Sequence, residues 1–527
     1  MDIHLKIIKI SFSAVILLLI AGISGGSFAM KDNKSFTIKQ LSQTVNYLNY
    51  KLAFANINNK NLTATVLSIF DNTDPVIKNN NSNAKSIPVL LYHGVIENAD
   101  GSNILLEDFK NQMFTLKKAG WQTITLNDFH DFMSGKKQVP DKSFLLTFDD
   151  GAKDSYYPVD PILKALDYKA VIFIITKYSV GDGSRSSYYL SSSELKRMIK
   201  SGQWGIQAHA KEAHDFIKID EKGNEGHFFS NKFWLENEKR IETDEEFRNR
   251  IYEDFMGVKS DIEKELKINP VAFAYPFGDF GQNSVNFPEA KSVVLDTIKS
   301  VYPISFYQVW GGNPKTNYPQ PDSEHFLAKR INVEPQWSAT DLLAVLENSR
   351  GKEIPYYDDF KKDNGWQKDW GQMEFKDDSM IINAHASTTG SAVFLDGSYL
   401  WQDYVLKADV YLTKGQVFSL MARYKDGKNY VMCSFSDKSV RIEQFLNGER
   451  KILSEIKGDF VFIGRDRKAG IGVQNNTVNC YLDDKIAMKG YNLDQSLNHG
   501  GIGFKTWDPQ MNNSELIVKE IFIEGIK

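Results

Sequence analysis

Between residues 87 and 350 short apolar runs alternate with amphipathic segments, and after residue 355 the amphipathic segments stop. That change of pattern constrains the chain more than any other feature. Parallel strands need a long crossover between them, usually a helix, whereas antiparallel strands need only a turn. In the first region IPVLLYHGV, WQTITL, SFLLTFDDG, AVIFIIT, WGIQAH, PVAFAYPFG, ISFYQVW and AKRINV read as strands. Between them LEDFKNQMFTLKKAG, ending at Gly120, and NDFHDFMSG, capped by Asn127, read as helices, as does a Pro-interrupted segment near 158–167. SSSELKRMIKSG and SATDLLAVLENS are further helices, and Thr243 with Glu246 forms a capping box that opens a long one running to about Leu266. Alternation at this density predicts a parallel sheet closed into an α/β barrel.

The second region is built from YVLKADVYL, FSLMARYKDGKNYVMCSF, VRIEQFLNGERKIL and GIGVQNNTVNCYLDDKIAMKG, with Asp426-Gly427 and Asn447-Gly448 marking tight turns. Residues 355–527 therefore read as an all-β sandwich. Two folded domains are also what 527 residues require, since single cores stop growing well below that length. A net charge of -4 offers no electrostatic case for a nucleic-acid partner. Cys433 and Cys480 are the only cysteines, so no disulfide framework is expected, and they read either as a pair or as two buried free thiols. At the N-terminus Lys6 and Lys9 precede the 14-residue apolar run ISFSAVILLLIAGI and the small-residue stretch SGGSFA. That layout predicts a signal peptide over 1–29, with an uncleaved membrane anchor as the alternative, and work outside the cytoplasm in either case. Residues 30–86, rich in Asn, Lys and Ser, read as a linker with a possible short helix.

The chemistry gathers where the proposed strands end. SFLLTF stops at Asp149 and Asp150, followed by Gly151. Adjacent carboxylates repel unless something nearby neutralises or uses them. WGIQAHAKEAH offers His209 and His214, five apart and so on different sides of any helix, which fits a strand end and a returning loop. Two imidazoles and one carboxylate can hold a divalent metal, while the second carboxylate stays free to take a proton from water. Gly151 allows the backbone to turn so that both acids reach one pocket. His93 ends the first strand, and Tyr275, Pro276, Phe277 and Gly278 end AFAYPFG. His227, His325 and His385 fall in no such grouping and read as ordinary.

TFDDG followed by HAKEAH and AFAYPFG resembles the NodB-type polysaccharide deacetylases, carbohydrate esterase family 4. PVLLYHGV ahead of TFDDG, with EAHDFIKID, is similar to the branch acting on poly-N-acetylglucosamine exopolysaccharides. The resemblance covers 87–350 and implies a distorted, circularly permuted (β/α) barrel. It implies Asp149 as general base, Asp150, His209 and His214 as metal ligands, and His93 as general acid. Tyr275, Pro276 and Phe277 fall on the groove wall, and a backbone N–H near Tyr275 would help hold the oxyanion. Trp310 and Arg330 join the substrate-binding set, and Arg330 reads equally as a residue that orients Asp149 or as half of a surface salt bridge. Two departures stand out: Ala210 replaces the usual Ser or Thr after the first histidine, and Ala272 stands where an arginine is common.

The expected cofactor is a divalent metal, zinc first, with cobalt, nickel or iron also suited to a His₂Asp set. The expected partner is an acetylated polysaccharide, with membrane contact only through an uncleaved N-terminus. The sandwich is similar to concanavalin A-like and laminin-G-like modules, through ARYKDGKNYVMCSF, YLDDKIAMKG and GGIGFKTWD, which implies carbohydrate binding; Trp366, Trp370, Trp401 and Trp507 read equally as rings that stack on sugars or as core or edge packing. The function so implied is a secreted N-deacetylase of a β-linked N-acetylglucosamine polymer. The alternatives are an O-acetyl esterase on xylan or another glycan, and a non-catalytic carbohydrate-binding envelope protein.

Overall fold

The computed structural model describes residues 82–180, 188–490 and 492–526; the signal-peptide segment and nearly all of the 30–86 linker lie outside them. Seven parallel strands close into a barrel: β1 (Val89–Tyr92), β2 (Ser143–Phe148), β3 (Ala170–Ile175), β4 (Trp204–Ala210), β5 (Ala272–Ala274), β6 (Ile304–Gln308) and β7 (Phe326–Asn332). Each pairs with the next in sequence, and β7 returns to β1, Leu90 facing Ile331. Every residue of β1, β2 and β3 is buried, as expected for strands covered on both faces. WQTITL contributes only a two-residue strand, Gln122–Thr123, beside the start of β2.

The two-residue period sorts the side chains. Leu90, Tyr92, Leu146, Phe148, Ile172 and Ile206 point outward into one core with the surrounding helices. Leu145, Val171, Phe173, Ala274, Phe306 and Ala328 fill the lumen. Helix α1 (Leu106–Lys118) packs outside. Helix α2 (Leu126–Met133) instead plugs one end of the lumen with Leu126, Phe129 and Met133. Its N-cap is Thr125, in a capping box with Asp128, and not Asn127: the Thr125 hydroxyl comes one residue before the helix and so meets the free N–H of Asp128. Helices α3 (Asp160–Leu166), α4 (Ser192–Ser201), α5 (Asp244–Leu266) and α6 (Ala290–Lys299) supply the crossovers, and α7 (Ala339–Asn348) follows β7. Thr243 and Glu246 cap α5 reciprocally.

Beyond the barrel two antiparallel sheets face one another across a shared core. One has eight strands: β8 (Tyr356–Asp358), β9 (Gln372–Lys376), β10 (Ser379–Asn383), β11 (Tyr404–Lys414), β12 (Asp466–Gln474), β13 (Thr477–Leu482), β14 (Lys485–Met488) and β15 (Glu515–Gly525). The other has seven, spanning residues 366–507. Cys433 of the seven-stranded sheet and Cys480 of β13 form a disulfide between the sheets, their Cα atoms 5.7 Å apart, so the reading as free thiols is corrected. Facing inward positions of a sandwich bring Cβ atoms to disulfide range. Of the two readings of the tryptophans, Trp366 and Trp401 take the packing one: both are buried in this core, the indole N–H of Trp401 donating to the Lys352 carbonyl at 2.9 Å. Trp370 is half-buried under Lys505, and Trp507 is exposed.

The segment after β6 joins the two domains. The Gly312 carbonyl accepts from the Tyr424 hydroxyl at 2.8 Å and from the Gly427 N–H at 3.1 Å, and Tyr318 stacks on Tyr399 at 4.6 Å. Leu146, at the centre of β2, has no solvent exposure. Leu146→Ala is expected to cost about 2–5 kcal/mol, read as a lower denaturation midpoint at unchanged slope.

Candidate active site

The end of the barrel opposite α2 holds the polar side chains. Asp149, His209 and Arg330 continue the lumen-facing positions of β2, β4 and β7, so strand geometry alone aims them at one point. Arg330 and Asp149 form a bidentate pair at 2.6 and 2.7 Å, both essentially inaccessible to solvent. Burial alone would raise the Asp149 pKa, but the Arg330 guanidinium, helped by His209 and His93, holds it below the ordinary carboxylate range. His93 follows β1, whose Tyr92 pairs with Phe148, so His93 and Asp149 leave the sheet side by side.

Asp150 would point away from the lumen if the strand continued. Instead it takes a left-handed conformation (φ +69°), and Gly151 follows at +72°. A Cβ on Gly151 would also stand 3.0 Å from Ile174, so glycine is required on both counts. The turn brings Asp150 Oδ1 to 3.4 Å from His209 Nε2 and 3.2 Å from His214 Nε2. His209 Nδ1 lies 2.8 Å from the Ala274 carbonyl, which can only accept. That bond places the proton on Nδ1 and leaves the Nε2 lone pair facing Asp150.

The donor set fits a divalent metal. The three ligand atoms lie within 4.8 Å of one another. Two ligands each about 2.1 Å from a shared tetrahedral ion stand about 3.4 Å apart, close to the separations seen. Without a cation the carboxylates draw charge onto the histidine: burial opposes protonation of His209, yet Asp149 and Asp150 outweigh it and raise its pKa. Asp150 itself is driven far down by the two imidazoles despite burial.

His214 sits on a loop that sequence reasoning left unsupported, because Ala210 offers no hydroxyl. Its support comes from Asp254, in the middle of α5. The buried Asp254 carboxylate accepts the backbone N–H groups of Lys211 (3.3 Å), Glu212 (2.6 Å) and Ala213 (3.1 Å), the span between the two histidines. Burial still pushes its pKa up to about 6, against the pull of those three donors.

The rim differs from expectation. Tyr275 is fully buried, its ring among Phe229, Phe255, Phe273 and Phe280 and its N–H donated to the Phe306 carbonyl at 3.0 Å. Pro276 is buried too, and Arg330 is sealed beneath Asp149. These three are corrected as side-chain contacts to substrate: the alternation that continues past the end of β5 turns the tyrosine into the core, and the Phe306 carbonyl takes its N–H. Phe277 reaches the surface at 42% exposure, in a left-handed conformation (φ +58°), against His214 at 4.9 Å. Phe216, 51% exposed, and His227 pack on it at 5.3 and 4.9 Å. His227 thus packs with Phe216 and Phe277, the second of which lies against His214. Trp310 is 44% exposed on Phe280 and Tyr307.

Asp254→Asn keeps two of the three acceptor contacts and removes a costly buried charge. Its thermal midpoint at pH 7.5 is expected to match or exceed that of the unsubstituted protein, while affinity for Co²⁺, followed by visible absorption, falls roughly tenfold. Unchanged Co²⁺ affinity would remove Asp254 from the site.

Residues 136–292 match the family model for polysaccharide deacetylases. The chain is 23% identical over 197 residues to the poly-β-1,6-N-acetyl-D-glucosamine N-deacetylase of Escherichia coli K12, covering 36% of this chain and 29% of that protein. It is 26% identical over 172 residues to the Staphylococcus epidermidis protein of the same name, covering 33% and 53%. The chain thus spans less than two thirds of either relative. A de-N-acetylase from Aggregatibacter actinomycetemcomitans matches in structure with a TM-score of 0.42 at 19% identity, over 49% of this chain and 98% of that one. The barrel that gathers Asp149, Asp150, His209 and His214 therefore carries a polysaccharide deacetylase domain of the NodB type.

Proposed function

We propose that this protein is an extracytoplasmic, metal-dependent N-deacetylase of a β-linked N-acetylglucosamine polymer. The observation that carries the reading is the division of labour between adjacent carboxylates: Asp149 is clamped by Arg330, and Asp150 turns away to meet two imidazoles. The names of the relatives support the polymer, and the disulfide supports an oxidising compartment.

Asp150, His209 and His214 would hold the metal. When bound there, a divalent ion polarises the amide carbonyl and acidifies water, which is what lets a base as weak as Asp149 work. Asp149 accepts the proton of the attacking water through a lone pair that the Arg330 fork leaves open, since a carboxylate has about four acceptor sites. Arg330 keeps that carboxylate ionised and aimed. His93, half-buried next to Asp149, donates a proton to the departing amine. Phe216, Phe277 and His227 form one wall for the sugar, and Trp310 contributes a second exposed ring.

Asp149→Asn is expected to lower acetate release from β-1,6-linked N-acetylglucosamine oligomers by roughly 10²–10⁴ while Co²⁺ binding persists. Unreduced release would overturn the assignment, and faster release from acetylxylan than from the oligomers would make the reaction ester hydrolysis. Arg330→Lys loses the fork and weakens the hold on the Asp149 charge. Its carboxyl pKa then rises, so the acid limb of the pH–rate profile should move to higher pH, with kcat down about tenfold or more.

A further inference from the structure

The outer face of the eight-stranded sheet carries a groove of about 330 Å³. Strand register sets Tyr357 beside Phe522, Phe522 beside Lys407, Lys407 beside Gly470, Gly470 beside Tyr481 and Tyr481 beside Ile486. These six positions make a single row across β8, β15, β11, β12, β13 and β14, about 24 Å long at ordinary strand spacing. Tyr357, Phe522 and Ile486 are exposed by 54%, 41% and 49%, apolar surface that the sandwich core does not use.

The middle of the row is shaped by two glycines. A Cβ on Gly472 would stand 3.0 Å from the Tyr481 ring and 3.2 Å from its hydroxyl, and one on Gly470 would stand 3.2 Å from the Tyr481 Cβ. The ring therefore lies along the sheet over bare backbone, a position that any larger residue in β12 would disturb. An aromatic ring laid flat on a sheet, with more apolar rings at strand spacing, suits the C–H face of pyranose sugars.

A charged row runs alongside. Asp409 faces both Glu520 and Lys468, and Asp484 lines the same groove. Glu520 accepts from the Tyr357 hydroxyl at 2.9 Å, while Lys407 is tied to Glu524 outside the groove at 2.8 Å. Three carboxylates thus line the groove with two lysines, one of which, Lys407, is already paired with Glu524. Burial raises the Asp409 pKa and Glu520 and Asp484 add to it, while Lys468 and, more weakly, Lys519 oppose it. A positive group entering the groove relieves this repulsion.

We propose that the groove binds the de-N-acetylated, amine-bearing stretch of a glucosamine polymer, so that the sandwich holds what the barrel produces. Aromatic stacking provides for the sugar and the carboxylates for its ammonium, a charge the N-acetyl form lacks. The idea rests on the deacetylase reading for the origin of the amine, but its test does not need turnover. The full chain bearing Asp149→Asn is titrated calorimetrically with glucosamine hexamer and with N-acetylglucosamine hexamer, at low and high salt. The glucosamine hexamer is expected to bind at least about tenfold tighter, and less tightly at high salt. Adding Tyr481→Ala or Tyr357→Ala should weaken it roughly tenfold, and Glu520→Gln should narrow the preference. No binding, equal or tighter binding of the acetylated hexamer, or indifference to both tyrosine substitutions would overturn the proposal. None of these results bears on acetate release by the unsubstituted enzyme.

Discussion

The site depends on one buried ion pair. Asp149 and Arg330 are 181 residues apart and sealed from water, and the bidentate contact is what makes burial of either tolerable. Removing one partner of such a pair costs about 3–5 kcal/mol, because the other charge is left without water or counter-ion. The barrel must therefore close with β2 and β7 on either side of β1, and closure in turn fixes where β4 delivers His209. The ion pair also sets the electrostatics of the neighbourhood. With Asp149 paired to Arg330, Asp150 is the carboxylate left to face the two imidazoles.

Much of this was legible in the sequence because strands have a period of two and barrel chemistry collects at strand ends. Asp149, Asp150, His209 and His93 each follow an apolar run, and the structure brings the first three and His214 together. Legibility failed where the deciding contact is remote or where two roles share one residue type. Asp254 lies mid-helix, where an acid reads as solvent-facing, and nothing local says that it meets a loop 41–43 residues earlier. His227 stands 13 residues past His214 with no strand end beside it, and only folding sets it against Phe277. Tyr275 belongs to a motif that suggested exposure, yet the alternation that continues past the end of β5 turns it into the core.

Tryptophan marks the same ambiguity in the sandwich. A large amphipathic ring serves equally in a core or on a binding face, and composition does not separate the two. Trp366 and Trp401 went inward. The exposed rings of the eight-stranded sheet are Tyr357 and Phe522, with Tyr481 made flat by Gly470 and Gly472 in a neighbouring strand. Glycine content in a strand, read together with its partner's aromatic, was the sequence cue for that surface, and it becomes visible only once register is known.

The segment that leaves β6 carries Trp310 and, two residues later, Gly312, whose carbonyl is held by the sandwich. Gly312 packs so tightly that a Cβ there would lie 2.1 Å from Asp369. One short stretch of backbone thus presents an exposed tryptophan and, two residues on, serves as a mortise joint to the sandwich. The modules are not beads on a string: a graft of this barrel onto a foreign partner would inherit the segment after β6 without its anchor.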